Sequence, residues 1–181
     1  RRLLRLINQL LDMGKLEAGK MKLDARPCDL VEILGYITAS FESLADRKGI
    51  KFAFMKNLSE LNIYIDPEKI EKVFYNLLSN AFKFTEPGGE ISVSLFSADG
   101  KASVVVKDSG KGIPANDLPH IFDRFRQVDG SSTREQEGTG IGLSLVKEFI
   151  DLHKGLVEVK SEENKGTEFS ITLPLGKDHL T

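Results

Sequence analysis

The stretch Asp66-Pro-Glu-Lys-Ile-Glu-Lys-Val-Phe-Tyr-Asn-Leu-Leu-Ser-Asn-Ala-Phe-Lys83 decides the fold, because it joins a helix start to a long apolar stripe. Asp66 is a capping residue, and Pro67 occupies the first helical position. From Ile70 onward, apolar residues recur at i, i+3, i+4, i+7, i+8 and i+11. This spacing predicts a helix with one buried face.

Two amides and a lysine line a neighbouring face of the same helix. Asn76, Asn80 and Lys83 stand at i, i+4 and i+7, so they share one side. An amide oxygen is a hard ligand suited to Mg²⁺, which completes its shell from water and nucleotide phosphates. We therefore predict Asn80 as the metal ligand and Lys83 as a phosphate contact; the alternative is that the amides are ordinary solvent-facing residues.

A carboxylate followed by a glycine turn lies further along the chain. Asp108 ends a predicted strand and precedes Gly110 and Gly112, so the backbone turns directly after the acid. Such a carboxylate can accept the exocyclic amine of adenine, whereas guanine presents a carbonyl at that edge. We expect a preference for ATP over GTP on the order of a hundredfold or more. The alternative is a β-turn whose aspartate has no ligand.

A second glycine set, Gly138, Gly140 and Gly142, opens a predicted helix. The free N–H groups and the positive dipole end of a helix start favour phosphate. The spacing matches neither the dinucleotide-binding nor the P-loop pattern. The preceding polar segment, 126–138, has Val128 as its one large apolar residue, which predicts a mobile loop that covers the ligand.

The remaining periodicities predict an α+β fold, a two-layer sandwich of a mixed sheet with helices on one face. The predicted helices are Arg1–Gly19, Leu30–Asp46 and Ile141–Lys154, and the predicted strands are Ile50–Lys56, Asn62–Ile65, Glu90–Phe96, Ala102–Asp108, Leu156–Ser161 and Thr167–Pro174. A polar connection, Lys20–Asp29, follows the first helix. That helix is amphipathic, which favours a partner helix.

Composition excludes several function classes. The formal net charge is -2 and the hydrophobic fraction is 40%, so we expect no nucleic acid to be bound and no direct membrane contact. No stretch approaches the length of a transmembrane helix. Cys28 is the only cysteine, which rules out an intrachain disulfide and is consistent with a cytoplasmic location.

Five segments in order resemble the motifs of sensor histidine kinases of two-component systems. They are similar to the N box (Asn76–Thr85), first glycine box (Asp108–Pro114), F box (Phe122–Phe125), second glycine box (Gly138–Leu143) and closing strand (Lys165–Phe169). The resemblance implies a helix of the dimerisation and phosphotransfer hairpin with its linker (1–28), a catalytic domain (29–176) and a short tail (177–181). The segments Phe125–Asp129 and Pro174–His179 look most like hybrid kinases that continue into a receiver domain.

That family implies the ATP-binding fold shared with gyrase, heat-shock chaperone and mismatch-repair ATPases. It also implies transfer of the γ-phosphoryl of Mg-ATP to a histidine, relay to an aspartate of a response regulator, and a homodimer through the hairpin. By resemblance, Asn80 binds Mg²⁺, Asp108 reads adenine, and Asn76 and Lys83 act near the phosphates. The full predicted nucleotide-binding set is Asn76, Asn80, Lys83, Phe84, Asp108, Gly110, Gly112, Ile113, Phe122, Phe125, Arg126, Gly138, Thr139, Gly140, Ile141, Gly142, Leu143 and Thr167.

One feature departs from the family pattern. The phosphate acceptor in the family is a histidine that begins a His-Glu-x-Arg-Thr/Ser-Pro run, and His120, His153 and His179 all lie in other contexts. We therefore expect the acceptor to lie before Arg1.

Three other functions stay open from the sequence: a conformational ATPase of the same fold, a serine-directed kinase and a non-catalytic module. Asn76 stands where such ATPases carry a glutamate that activates water. Its identity argues for transfer to an already nucleophilic imidazole.

Overall fold

Helices and strands alternate along residues 2–126 and 140–180, the part of the chain that the computed structural model describes. The helices are α1 (Arg2–Glu17), α2 (Leu30–Lys48), α3 (Pro67–Phe84) and α4 (Gly142–Leu152), with short 3₁₀ turns at Leu118–His120 and Asp178–Leu180. The strands are β1 (Arg26–Asp29), β2 (Lys51–Lys56), β3 (Asn62–Ile65), β4 (Glu90–Ala98), β5 (Lys101–Asp108), β6 (Leu156–Glu162) and β7 (Gly166–Pro174).

Five strands form a mixed sheet in the order β2-β4-β5-β7-β6. The β2–β4 pair is parallel and the other pairs are antiparallel. Along β4, Ile91, Val93 and Leu95 are buried, while the residues between them are less so. This alternation marks one face as the core side. The sandwich of mixed sheet and helices is confirmed.

The buried stripe predicted on α3 is confirmed and forms the centre of the core. Its buried residues are Ile70, Val73, Phe74, Leu77, Leu78, Ala81 and Phe82. The start of the helix is also as predicted, because Asp66 accepts a hydrogen bond from the backbone N–H of Lys69 and Pro67 follows the cap. The orientation of the predicted site helix is therefore set by a local cap and by long-range packing together.

A second, two-stranded sheet pairs β1 with β3 and differs from the sequence prediction. The segment Arg26–Asp29, predicted as part of a polar connection, pairs antiparallel with Asn62–Ile65. Arg-Pro-Cys-Asp shows no alternation and contains a proline, so local sequence does not predict a strand. The pairing partner decides it. Asp29 Oδ1 accepts the N–H groups of Val31 and Leu61, both at 2.9 Å, and so links the start of α2 to this small sheet.

Helix ends differ from the predictions by a few residues. The helix α2 continues to Lys48, and Gly49 ends it with φ of 64°. The helix α4 ends at Leu152 rather than at the predicted Lys154, because Lys154 has φ of 55°, outside helical conformation.

The helix α1 packs on the domain through one edge of its apolar face. Met13 is buried, whereas Leu4, Ile7, Leu10 and Leu11 are exposed. None of the helices within residues 2–126 and 140–180 is long and apolar enough to cross a membrane.

Candidate active site

The Asp108 carboxylate lies at the end of β5, where the sheet meets the first glycine turn. Its Oδ1 accepts the backbone N–H of Gly110 at 2.8 Å and that of Thr167 at 3.3 Å. Within the described residues, both hydrogen bonds go to Oδ1 and none to Oδ2. The second oxygen is therefore the one that a ligand donor can reach.

Burial raises the pKa of Asp108, and the hydrogen bonds from the Gly110 and Thr167 N–H groups oppose this change. A carboxylate that has lost part of its water shell gains more from a new hydrogen bond than an exposed one does. The site at the end of β5 is thus suited to an uncharged donor group such as an exocyclic amine.

Ser161 holds this region together, and sequence reasoning missed it. Its Oγ accepts the N–H of Ile113 at 2.8 Å and donates to the carbonyl oxygen of Gly166 at 2.8 Å. Thr167 Oγ1 lies 2.9 Å from Ser161 Oγ. Because the Ser161 proton is donated to Gly166, the Thr167 hydroxyl is the donor of this hydrogen bond. Nothing local distinguishes a serine in β6 from other strand serines. Only the register that places Ser161 opposite Thr167 reveals its role.

The first glycine turn is enclosed between α3 and the β6–β7 turn. A β-carbon at Gly110 would lie 2.5 Å from the carbonyl oxygen of Phe84, and one at Gly112 would overlap that of Glu162. Gly112 also has φ of +67°, which favours glycine. Both glycines are therefore required because the turn lies directly against the Phe84 and Glu162 backbone. This reason adds to the one expected from the sequence, the close approach of a ligand.

The end of α3 presents two ammonium groups on one aromatic ring. The Nζ atoms of Lys83 and Lys111 lie 4.5 and 4.6 Å from the Phe84 ring centroid. These are cation–π distances. Lys111 was not among the predicted site residues, and it adds a second positive charge beside Lys83.

Asn76 lies where α3 meets the start of α4. Its Nδ2 donates to the carbonyl oxygen of Lys72 at 2.8 Å, and its Oδ1 accepts from Gln9 Nε2 of α1 at 3.3 Å. A β-carbon at Gly142 would lie 2.9 Å from Asn76 Oδ1. The predicted N box and second glycine box are thus in direct contact, and Gln9 of α1, an unpredicted residue, binds the N-box residue Asn76.

Asn80 lies one helical turn beyond Asn76 and is half-buried. No hydrogen bond joins its amide to any other residue in the described part of the chain. Its oxygen therefore has the character and the accessibility that a Mg²⁺ ligand needs.

The helix α4 starts without a polar side chain at its N-cap position. Ile141 occupies the N-cap position and makes no side-chain hydrogen bond there. Gly140, with φ of +67°, accepts the N–H of Phe125 at 2.9 Å. The first N–H groups of α4 thus remain suited to an anion. Gly138 and Thr139, and nearly all of the predicted covering loop, lie outside the described residues.

The other predicted site residues have different surroundings. Phe122 packs edge-on against Phe169, with ring centroids 6.4 Å apart. Phe125 is 65% exposed, with φ of 61°, and Arg126 pairs with Asp117 at 3.0 Å. Buried or partly buried core positions are held by Ile113, Ile141 and Leu143.

The structure therefore brings the predicted residues into two groups. In one, Asp108 and Thr167 lie beside the first glycine turn; in the other, Gly142 lies against Asn76 and Gly140 lies against the backbone of Phe125.

Comparison with known proteins gives the family. The model for histidine kinase-, DNA gyrase B- and HSP90-like ATPases matches residues 65–177. Hybrid signal transduction histidine kinase D of Dictyostelium discoideum is 44% identical over 180 residues, which are 97% of this chain and 12% of that protein. The chain thus spans about an eighth of that relative's length.

Two solved structures share the fold. Full-length ShkA in complex with AMPPNP has a TM-score of 0.85 and 28% identity, covering 97% of this chain and 36% of that one. Histidine kinase ThkA in complex with response regulator protein TrrA has a TM-score of 0.76 and 26% identity, covering 97% of this chain and 48% of that one.

The matched region contains the Asp108 turn, the Asn76 helix face and both glycine turns, and it spans more than half of the chain. The chain belongs to the family of histidine kinase-, DNA gyrase B- and HSP90-like ATPases, within which it resembles the catalytic region of sensor and hybrid histidine kinases.

Proposed function

We propose that this chain binds Mg-ATP and transfers the γ-phosphoryl to a histidine on a helical hairpin, for relay to an aspartate of a response regulator. The observation that carries the proposal is the Asp108 carboxylate, fixed through Oδ1 by two backbone N–H groups, with Oδ2 unbonded within the described residues. It is the acceptor that adenine recognition requires.

Adenine recognition follows from the direction of one hydrogen bond. Asp108 Oδ2 accepts from the adenine amine, and the buried carboxylate cannot pair with the guanine carbonyl. With GTP, the Asp108 carboxylate and the guanine carbonyl would both lack a donor, which weakens GTP binding by on the order of a hundredfold.

The other end of the site holds the phosphates and the metal. Mg-ATP supplies the phosphoryl group. Asn80 offers a neutral oxygen to Mg²⁺, and Lys83 contributes positive charge near the end of the same helix. The N–H groups in the first turn of α4 add partial positive charge. Positioning and charge neutralisation are what phosphoryl transfer chiefly needs.

Asn76 favours transfer over hydrolysis. Its side chain is an amide, held by the Lys72 carbonyl and by Gln9, and an amide cannot deprotonate water. A neutral imidazole near pH 7 needs little activation. The relative named above is also a histidine kinase. Together these favour histidine phosphorylation over a conformational ATPase or a serine-directed kinase.

The acceptor histidine is proposed to lie on a separate hairpin segment. His120 is exposed and pairs with Asp123, His153 is 1% exposed in the core, and His179 lies in the last 3₁₀ turn. None of the three begins an acceptor run.

The proposed partners are a second copy of the protein and a receiver domain. Four large apolar side chains of α1, namely Leu4, Ile7, Leu10 and Leu11, are exposed and suit a helical bundle between two copies. The structure of ThkA with response regulator TrrA supports a receiver domain as the phosphoryl acceptor. We place this activity in the cytoplasm, where thiols such as Cys28 remain reduced.

Radiolabelled ATP tests the proposal. We expect the chain alone to remain unlabelled, and an added hairpin carrying the acceptor run to acquire acid-labile, base-stable label in its presence. Asn80→Ala should abolish labelling, whereas the exposed Asn57→Ala should not. Stable label on His120, His153 or His179, or a hairpin that never labels despite measured ATP binding, would contradict the proposed transfer.

A further inference from the structure

His153 is a buried histidine at the junction of α3 and α4, away from the proposed nucleotide contacts. It is 1% exposed and follows the last residue of α4. Its Nδ1 lies 2.7 Å from the carbonyl oxygen of Phe149, and its Nε2 lies 3.0 Å from the backbone N of Asp66. Both ring nitrogens therefore have protein partners.

These partners fix both the tautomer and the charge of the ring. A carbonyl oxygen only accepts, so Nδ1 carries a proton and donates to Phe149. The Asp66 N–H only donates, so Nε2 must be unprotonated and accept. A second proton on the ring would place two N–H groups against each other and remove the acceptor of a buried backbone group.

Asp66 is the N-cap of α3, so the imidazole acts on the start of the proposed metal helix. The carboxylate of Asp66 accepts the backbone N–H of Lys69, the Lys69 ammonium at 2.5 Å and the N–H of Asp24 at 3.0 Å. His153 thus binds the backbone of a residue whose side chain already joins α3 to the segment after α1.

The two helices are held together at two separated points. From Asp66 to Asn76, α3 advances about 15 Å, and from Gly142 to His153, α4 advances about 16 Å, at 1.5 Å per residue. Asn76 contacts Gly142 at one end, and Asp66 contacts His153 at the other. The helices therefore run antiparallel, and the hydrogen bond to His153 sets the position of α3 along α4.

We propose that His153 is a positioning residue for the nucleotide site: its neutral imidazole fixes α3 against α4, and its protonation in mildly acidic solution shifts α3 and weakens Mg-ATP binding. This inference rests on the proposed function. When the contact between Asp66 and His153 is lost, the other ends of the two helices move relative to each other. Those ends carry Asn80 and Gly142, which would hold the metal and the phosphates.

The charged groups around the ring are consistent with this behaviour. Burial lowers the pKa of His153; the Phe149 carbonyl and Asp66 raise it, and Lys69 and His179 lower it further. Burial acts to raise the pKa of Asp66, but hydrogen bonds from Lys69 and Asp24 hold it below its ordinary value. Asp66 therefore stays ionised in mildly acidic solution.

The pH window follows from the lowered pKa. An unfolded chain protonates this histidine near the ordinary value of 6.5, and the folded chain does so only at lower pH. The contribution of His153 is complete above that value and is lost as pH falls through the folded pKa. One linked proton changes affinity by at most about tenfold per pH unit.

Calorimetric titration with Mg-AMPPNP between pH 5 and 8 tests the inference in wild type, His153→Gln and the exposed control His120→Gln. A glutamine oxygen can accept the Asp66 N–H without titrating. Below the ordinary histidine pKa, wild type and His120→Gln should lose affinity more steeply than His153→Gln. The ligand's own titration affects all three proteins equally, so the difference between the profiles comes from His153. Superimposed profiles would overturn the inference and leave the proposed function standing. No binding by wild type at pH 7.5 would overturn both.

Nuclear magnetic resonance of the wild type gives a readout that does not depend on the variant folding. The His153 ring should titrate below the ordinary histidine value of 6.5, and the Asp66 amide resonance should move with the same midpoint. An Asp66 amide that stays constant while His153 titrates would also overturn the inference.

Discussion

The two ends of the proposed nucleotide site are built differently. Around Asp108, the contacts are between adjacent strands: Asp108 stands opposite Thr167 in the β5–β7 ladder, and Ser161 stands opposite Thr167 in the β6–β7 ladder. Around Asn76, the contacts join helices that are far apart in sequence, through Gln9 and Gly142. The first geometry is set by backbone hydrogen bonding and the second by helix packing.

This difference predicts different responses to change. A strand ladder leaves its side chains little room to move, because every neighbouring residue is fixed by its own hydrogen bonds. Packed helices can slide by a larger amount when one contact is lost. Loss of the adenine acceptor at the Asp108 end should therefore lower ATP affinity most, and losses near Asn76 should lower it by smaller factors.

The largest expected effect is that of Asp108→Asn. Asparagine keeps an Oδ1 that accepts from Gly110 and Thr167 but can present an amide donor to the adenine amine. A hydrogen bond to a charged group contributes roughly 1.5–3 kcal/mol, so ATP affinity should fall by about 10- to 150-fold in calorimetry. Asp99→Asn, in the β4–β5 turn, is the matched control. Equal affinity in Asp108→Asn and wild type would remove Asp108 as the adenine acceptor.

The same substitution should stabilise the nucleotide-free chain. Burial raises the pKa of Asp108, so its contribution to stability is present below its ordinary pKa and is lost as pH rises through the folded pKa. At pH 7 the wild type carries this cost and asparagine does not, which should raise Tm by about 1–3 °C. The gain should vanish near pH 3, and a gain that persists there would contradict the electrostatic explanation.

Asn80→Ala should have the next largest effect, at the helical end. Loss of a metal ligand should weaken ATP binding about tenfold when Mg²⁺ is present, by analogy with other ligand-shell substitutions. Binding in the presence of EDTA should not change. Calorimetry under both conditions separates the metal from the nucleotide, with exposed Asn57→Ala as the control. An equal loss with and without Mg²⁺ would mean that Asn80 contacts the nucleotide itself.

Ser161→Ala should lower stability more than it lowers affinity. It leaves the Ile113 N–H and the Thr167 hydroxyl without their acceptor, which costs about 1–3 kcal/mol. ATP affinity should fall by only a few-fold, since Thr167 still donates its backbone N–H to Asp108. Urea denaturation measures the first effect. The half-buried Ser97→Ala, which loses a single hydrogen bond to the Lys101 carbonyl, should be near neutral.

Arg124→Ala should have the smallest effect. Arg124 pairs with Glu17 of α1 at 2.6 Å and Glu148 of α4 at 3.4 Å, and all three side chains are exposed. Exposed ion pairs contribute about 0–1 kcal/mol and weaken with salt. ATP affinity should stay within about twofold of wild type, and amide exchange should increase in α1 alone. A loss of more than about 2 kcal/mol in the free energy of ATP binding would show that these ion pairs hold α1 and α4 in place more firmly than their exposure indicates.

The elements and their order were predictable from the sequence because their signals are local. The cap at Asp66, the stripe beginning at Ile70 and the alternation in β4 each lie within one element. The strand β1 was not predictable, because a four-residue segment with a proline forms a strand only when β3 is beside it. Helix ends shifted where a single backbone angle, as at Lys154, stopped the helix.

By itself, the sequence determined which residue types the site contains: an acid before a glycine turn, amides one helical turn apart, and a second glycine turn at a helix start. The tertiary structure alone decided which of these groups touch. Ser161, Lys111 and Gln9 became part of the site through strand register, a shared aromatic ring and helix packing. Buried His153 likewise acquired a fixed tautomer only because Asp66, 87 positions away in sequence, donates to it. Composition and periodicity specify local conformation, but a hydrogen bond between distant segments exists only after the chain has brought them together.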